Sequence, residues 1–391
     1  MKTLDQELIR RLTTLRQQGL FRELRCIDSA QSPRIEIDGK KLLNFSSNDY
    51  LGLANDPTLK TAALEAVERY GVGAGASRLI CGSLAPHQEL DETLAAFKGT
   101  AAAVSFSSGY AAAMGTICAL LGKEDIIIID KLVHACIVDA ARLCGSKLRV
   151  FAHNDLNDLE AILKWADQRV QSQGRRVLIV METVFSMDGD HAPLREIVDL
   201  KEKYGAWLMV DEAHATGLYG PHRRGLAEHI GVSDRIEIQM GTLGKALGAS
   251  GGYICGSRAL IDYLTNRART FIFSTAPVPA AVAAGAAGIR FVQSRSGGER
   301  RKLLWQRVSQ LSSTLNSRPS TVPSAIIPVL IGNETKAIEA SAALRKRGIF
   351  IPAIRYPTVA RGKARLRLTM TAAHTSGDIS QLLAALSTLD Q

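Results

Sequence analysis

Two tetrapeptides, Ile126-Ile127-Ile128-Ile129 and Val177-Leu178-Ile179-Val180, are apolar at every position. A strand with one wet face alternates apolar and polar residues; one that is apolar throughout is covered on both faces. Further strand patterns are predicted at 102–106, 148–151, 207–210, 236–240 and 253–255, and helical periodicity at 111–121, 135–143, 156–170 and 194–204. Such alternation predicts an α/β fold, a mostly parallel sheet flanked by helices. In sheets of this kind ligands gather beyond the carboxyl ends of the strands. The residues that follow each strand are therefore where chemistry is sought.

The flanking segments are of a different kind. An N-terminal helix over 5–21 carries Leu8, Leu12, Leu15 and Leu20 at helical spacing, 35–40 reads as a hairpin, and 44–52 as a loop. Helices are predicted over 59–70 and 86–98, the second with Pro86 at its start and Gly99 after its end. A helix over 277–292 leads to a Ser/Gly hinge or loop at 294–298. A smaller α/β region follows: helix 303–315, strand 326–331, helix 337–347, strands 349–354 and 365–370, helix 379–389. The expected division is an N-terminal segment 1–50, a large domain 51–285 and a small C-terminal domain 286–391.

Apolar residues make up 46% and charged residues 22%, ordinary for a globular enzyme. No apolar run is long enough to span a bilayer and the start lacks a signal-peptide core, so no membrane association is expected. Six cysteines without CxxC spacing argue against a zinc site and for a reducing cytoplasm; no metal is expected. The net charge of +10 raises the class of nucleic-acid binders. Its basic clusters, such as Arg300-Arg301-Lys302, are short, and aromatic content is only 5%, poor for stacking bases. Nucleic acid is therefore not expected as a partner.

Several motifs fail on inspection. Asp211-Glu212-Ala213-His214 spells a helicase box, but the phosphate loop it requires is missing: Gln239 and Ala246 replace its first glycine and its Ser/Thr. Gly71-Val72-Gly73-Ala74-Gly75-Ala76 follows a helix where a dinucleotide fingerprint follows a strand. Asp188-Gly189-Asp190 lacks the remaining EF-hand ligands, and no GxSxG elbow is present.

What remains is a set of residues at strand ends. Lys245 lies on a loop of small residues after the strand at 236–240, where a shielded amine can act as nucleophile or base. Asp211 closes an apolar strand, so its carboxylate needs a cationic partner or backbone amides. Ser107-Ser108-Gly109-Tyr110 sits where a helix N-terminus offers free amides to a phosphate; a plain N-cap by serine would look the same. His134 either stacks on a ring or caps the next helix. Ser186 follows another buried strand, and the Thr242 hydroxyl lies three residues before Lys245. Together these meet the needs of pyridoxal 5'-phosphate: an amine, an acid for the pyridine nitrogen, a stacking ring and a phosphate cradle.

The motifs NFSSNDYLG (44–52), GAGASRLICG (73–82), SSGY (107–110), ETVFSMDG (182–189), VDEAHATG (210–217) and TLGKALG (242–248) resemble, in order, those of the α-oxoamine synthase family. These are fold-type I pyridoxal phosphate enzymes, and the resemblance runs from about Arg22 to the C-terminus. It implies that Lys245 carries the Schiff base, Asp211 pairs with the pyridine nitrogen and His134 stacks on the ring. It implies His214 and Ser186 near the ring oxygen, with Ser108, Gly109, Tyr110 and Thr242 around the phosphate. Arg355 would take the amino acid carboxylate, with Arg22, Asn48 and Thr358 also at the substrate. A homodimer is implied, with 271–275 reaching the partner's site.

The implied reaction is decarboxylative condensation of L-alanine with a pimeloyl thioester, on coenzyme A (pimeloyl-CoA) or acyl carrier protein (pimeloyl-ACP), in biotin biosynthesis. The rivals are the sister reaction of glycine with acetyl-coenzyme A (glycine C-acetyltransferase), another α-oxoamine synthase, and an aminotransferase on the same fold.

Overall fold

The computed structural model describes residues 3–170, 175–314, 322–387 and 389. Its internal contacts divide it into two units, one of residues 1–50, 187–189 and 303–391, the other of 51–186 and 190–302.

In the first of these, β1 (Arg34–Ile37) and β2 (Lys40–Asn44) form the expected hairpin. Asp38 and Gly39 turn it with φ of 53° and 69°, as the twist of a two-residue hairpin turn requires. The N-terminal helix spans Leu4–Gln17 and leaves Leu4, Leu8, Ile9 and Leu12 exposed.

The second unit holds the expected parallel sheet. Its strands are β3 (Ala102–Phe106), β4 (Ile126–Asp130), β5 (Lys147–Phe151), β6 (Val177–Glu182), β7 (Trp207–Asp211), β8 (Ile238–Thr242) and β9 (Gly252–Gly256). They lie in the order β3-β9-β8-β7-β6-β4-β5, parallel except that β9 runs against both neighbours. Ile126 to Ile129 and Val177 to Val180 are all buried, as their composition demands. Each such side chain contributes about 1.5–3 kcal/mol of burial. β8 starts at Ile238, two residues later than predicted, because Ser233–Arg235 first makes a 3-10 turn.

Two expectations are corrected. Residues 295–298 are neither hinge nor loop: a helix spans Arg295–Thr314, one residue after the helix Pro279–Gln293. The Ser294 hydroxyl accepts the Gly297 amide and so starts this helix, a capping role that its composition disguised as loop. The single strand predicted over 349–354 is two, β11 (Ile349–Phe350) and β12 (Ala353–Ile354). Pro352 has no amide proton to continue a ladder, and the chain changes sheets there. β11 joins β2 in parallel, while β12 pairs with β13 (Ala364–Thr369), which pairs on its other side with β10 (Ile326–Gly332). The last helices include Glu334–Lys346 and Ser376–Leu386. Leu315 and Thr388, within two predicted helices, lie outside the described residues. No helix among the described residues is long and apolar enough to cross a membrane.

Candidate active site

At the carboxyl ends of its strands the large unit assembles nine of the predicted residues. The turn after β3 enters the helix Gly109–Leu120, with Ser108 as N-cap: its hydroxyl accepts the Ala111 amide at 3.1 Å. This turn lies against the β8–β9 hairpin. A Cβ on Gly109 would stand 2.6 Å from the Thr242 methyl carbon, so only glycine allows the approach. The Thr242 Oγ1 is buried and has no hydrogen-bond partner among the described residues. A buried orphan hydroxyl costs stability until a ligand satisfies it. The Tyr110 hydroxyl donates to Asp139 at 2.6 Å, and that bond raises its pKa.

Lys245 lies in the loop between β8 and β9. The Leu243 amide bonds the Gly251 carbonyl and the Ala249 amide the Leu243 carbonyl, 2.9 and 2.8 Å, closing the loop tightly. Gly248 holds φ at 68°, and a Cβ there would meet Leu53 Cβ at 2.5 Å. Lys245 is thus presented from a rigid turn, half-buried.

Asp211 ends β7, buried, and accepts the Ala213 amide at 2.9 Å. Burial raises its pKa; the Lys245 charge pulls it back down. His134 is the N-cap of the helix Ala135–Leu143, its Nδ1 accepting the Cys136 amide at 3.3 Å. Of the two sequence alternatives the structure shows the cap. Burial lowers the His134 pKa, Asp211 opposes that, and Lys245 adds to it. Ser186 and His214 are buried. The Ser186 amide donates to the Glu182 carboxylate at 3.0 Å.

The four predicted substrate residues belong to the other unit. Arg355 donates to the Phe21 carbonyl at 2.6 Å and Arg22 to the Tyr356 carbonyl at 3.2 Å, while the Thr358 amide bonds the Arg355 carbonyl. Burial and then the Arg22 charge lower the Arg355 pKa, and its Nε is buried without a partner among the described residues. Asn48 does not join this group's hydrogen bonds; its side-chain oxygen accepts Arg367 at 3.1 Å. No cluster of three or more His, Cys, Asp or Glu suited to a metal occurs among the described residues.

Sequence reasoning passed over a second acid and a cationic link. Glu182, at the end of β6, is buried beside this set. It carries the same signal as Asp211, an ionisable residue closing an apolar strand. His153 bridges Asp130 at 2.9 Å and Asp190 at 2.7 Å, joining the end of β4 to the segments after β5 and β6. Those partners stand 23 and 37 residues away, a separation no local pattern reveals.

Burial alone would push the His153 pKa down, but the hydrogen bonds to Asp130 and Asp190 prevail and raise it to about 10. Its folded pKa thus exceeds an unfolded value near ~6.5, so its stabilisation is complete below that pH and is lost as pH rises through the folded value. The difference in melting temperature between the wild type and His153→Asn should be largest below about pH 6.5 and shrink toward about pH 10. A pH-independent difference would refute the bridge.

Residues 40–386 match the family of class I and II aminotransferases. An 8-amino-7-oxononanoate synthase of Geotalea daltonii is 46% identical over 390 residues, 99% of this chain and 97% of that protein. Another, of Thermoanaerobacter pseudethanolicus, is 47% identical over 378 residues, 96% of this chain and 94% of that protein. A serine palmitoyltransferase of S. paucimobilis, solved with a PLP–myriocin aldimine, aligns with a TM-score of 0.91 at 30% identity, covering 99% of this chain and 98% of that one. With a family match and full-length relatives of this identity, the chain belongs to the class I and II aminotransferases.

Proposed function

We propose that this chain is a pyridoxal-phosphate-dependent acyltransferase that condenses L-alanine with a pimeloyl thioester. The products are 8-amino-7-oxononanoate, carbon dioxide and the free thiol of coenzyme A or acyl carrier protein, a step of biotin biosynthesis. The observation that carries this reading is the gathering of Lys245, Asp211 and the Ser108–Gly109–Thr242 cradle at the strand ends of a chain 46% identical to such a synthase.

The residues suit the cofactor. The orphan Thr242 hydroxyl and the amides at the helix start fit a phosphate, with Ser108, Gly109 and Tyr110 around it. The buried Asp211 is an acid suited to a cationic ring nitrogen. The His134 ring would cover a face, and Ser186 and His214 would bond the ring oxygen. When bound, the cofactor supplies an electron sink for a carbanion next to the amino group. The chain does the rest: Asp211 holds a proton on the ring nitrogen, and the Lys245 Nζ takes the proton from alanine's α-carbon and returns one to the product. Arg355 receives the carboxylate with its planar fork, with Arg22, Asn48 and Thr358 as further substrate contacts.

A second copy of the chain completes the picture. In the large unit Val72, Ile80 and Phe273 are exposed to 78%, 79% and 71%, large apolar side chains more in keeping with a covered face. A homodimer is therefore proposed, with 271–275 at its contact, and sedimentation at the mass of one chain would refute it. All six cysteines are free, in keeping with a reducing cytoplasm; recovery in an oxidising compartment would count against this.

The test is to incubate the protein with L-alanine and pimeloyl-coenzyme A and weigh the product. Faster turnover of glycine with acetyl-coenzyme A, or of serine with palmitoyl-coenzyme A, would replace the reading. Arg355→Ala should raise KM for alanine about 30-fold, the worth of a charge-assisted bond pair, and KM for the thioester far less. Equal rises would remove Arg355 from the carboxylate site.

A further inference from the structure

β6 ends on Glu182 and β7 on Asp211, and the two are register partners. Partners in neighbouring strands project from one face about 5 Å apart. Two carboxyl groups therefore stand side by side, exposed to only 2% and 6%. Glu182 Oε2 accepts the Ser186 amide at 3.0 Å, while Oε1 is enclosed with no hydrogen-bond partner among the described residues. An ionised oxygen in that setting is costly, and like charges this close do not both ionise readily. Charged and titratable groups that act on the pair are Lys245 from the loop after β8, and His134 and Cys136 from the start of the helix Ala135–Leu143; Glu212 and, from β9, Tyr253 also act on Asp211. Lys245 is the one lysine among them, and one ammonium does not neutralise two carboxylates.

We propose that Glu182 is a positioning residue that stands un-ionised beside Asp211, so that the pair's single negative charge resides on Asp211 while Glu182 fixes the Ser186 turn. Burial first, and then the Asp211 charge, push Glu182 up to about 8, with Lys245 pulling back. Below that pH Asp211 alone is charged. Above it, a second negative charge holds the proton on Lys245 more firmly, and the lysine must release that proton to act as a base. The inference rests on the proposed function only in giving Asp211 and Lys245 their roles; the protonation state of Glu182 does not depend on them.

The experiment is infrared difference spectroscopy of the isolated holoenzyme between about pH 6 and about pH 10, with pH profiles of kcat. The wild type should lose a protonated-carboxyl band with a midpoint near 8. That band should be absent from Glu182→Gln and present in Asp211→Asn. The alkaline fall in kcat should likewise vanish in Glu182→Gln, whatever its absolute rate. A wild type without the band, a band lost in Asp211→Asn but kept in Glu182→Gln, or an unchanged alkaline limb in Glu182→Gln overturns the proposal. A protein that shows the band but no visible cofactor absorption would instead sink the proposed function and leave the Glu182 assignment standing.

A folding control accompanies these variants. Glu182 has a folded pKa above its unfolded value of 4.5, so its protonated form favours the fold and stability is lost as pH rises from there to about 8. Glu182→Gln should melt with a flatter pH dependence over that window, and an unchanged slope counts against the proposal.

Discussion

Lys245→Ala is expected to lower turnover by roughly four orders of magnitude and to abolish the visible absorption of lysine-bound cofactor. The expectation follows from where the amine stands. The loop that carries Lys245 is closed by backbone bonds at Leu243, Ala249 and Gly248, and Gly248 packs directly on Leu53. A side chain presented from so fixed a turn is positioned for one task. Burial raises the pKa of Asp211, and the Lys245 charge draws it back down. Lys245→Arg keeps a positive charge there but supplies no amine that can lose its proton near neutral pH. It should be as inactive as the alanine variant, and recovery of activity in Lys245→Arg would show that charge rather than proton transfer is what the position provides. Both variants should keep the melting temperature of the cofactor-free wild type within a few degrees, since Lys245 is half-buried on a loop.

Lys98→Ala should be the most destabilising single change, by about 3–5 kcal/mol. The Lys98 ammonium meets the Glu212 carboxylate at 2.5 Å, with side chains exposed to 0% and 1%. It also donates to the Arg224 carbonyl at 2.6 Å, and the second Glu212 oxygen accepts the Ala227 amide at 2.9 Å. Both side chains of the pair are thus enclosed, and removing the lysine strands a carboxylate in the interior. Replacing both groups together, Lys98→Met with Glu212→Gln, should recover a large part of the loss, because no unpaired charge then remains. A double variant as unstable as Lys98→Ala would mean that the pair acts through packing and not through charge. Glu212 adjoins Asp211, so the pair also anchors the turn that holds the acid, and a stability defect here should carry an activity defect with it.

Much of this was legible from residue order. The all-apolar runs at 126–129 and 177–180 dictated strands buried on both faces, and both runs lie inside the seven-stranded sheet. Lys245 and Asp211 could be picked out because each interrupts an apolar or small-residue context, Ser108 because a strand there gives way to a helix, and Thr242 because it shares the Lys245 loop. The resemblance to the α-oxoamine synthases holds, as the full-length relatives show. What stayed hidden had physical reasons. Glu182 carries the same signal as Asp211 but was masked by the serine four residues on. The His153 bridge draws one carboxylate from the end of β4 and the other from the loop after β6, so no spacing announces it. Ser294 read as loop because a capping serine and a loop serine are the same residue. Pro352, by contrast, was an available signal: a proline inside a predicted strand marks a break.

The central claim is that Lys245 is the residue to which the cofactor is joined. Reducing the isolated holoenzyme with borohydride and mapping its peptides by mass tests this most directly. One phosphopyridoxyl group per chain on the peptide bearing Lys245 is the result expected; the group on any other lysine, or on none, contradicts the account.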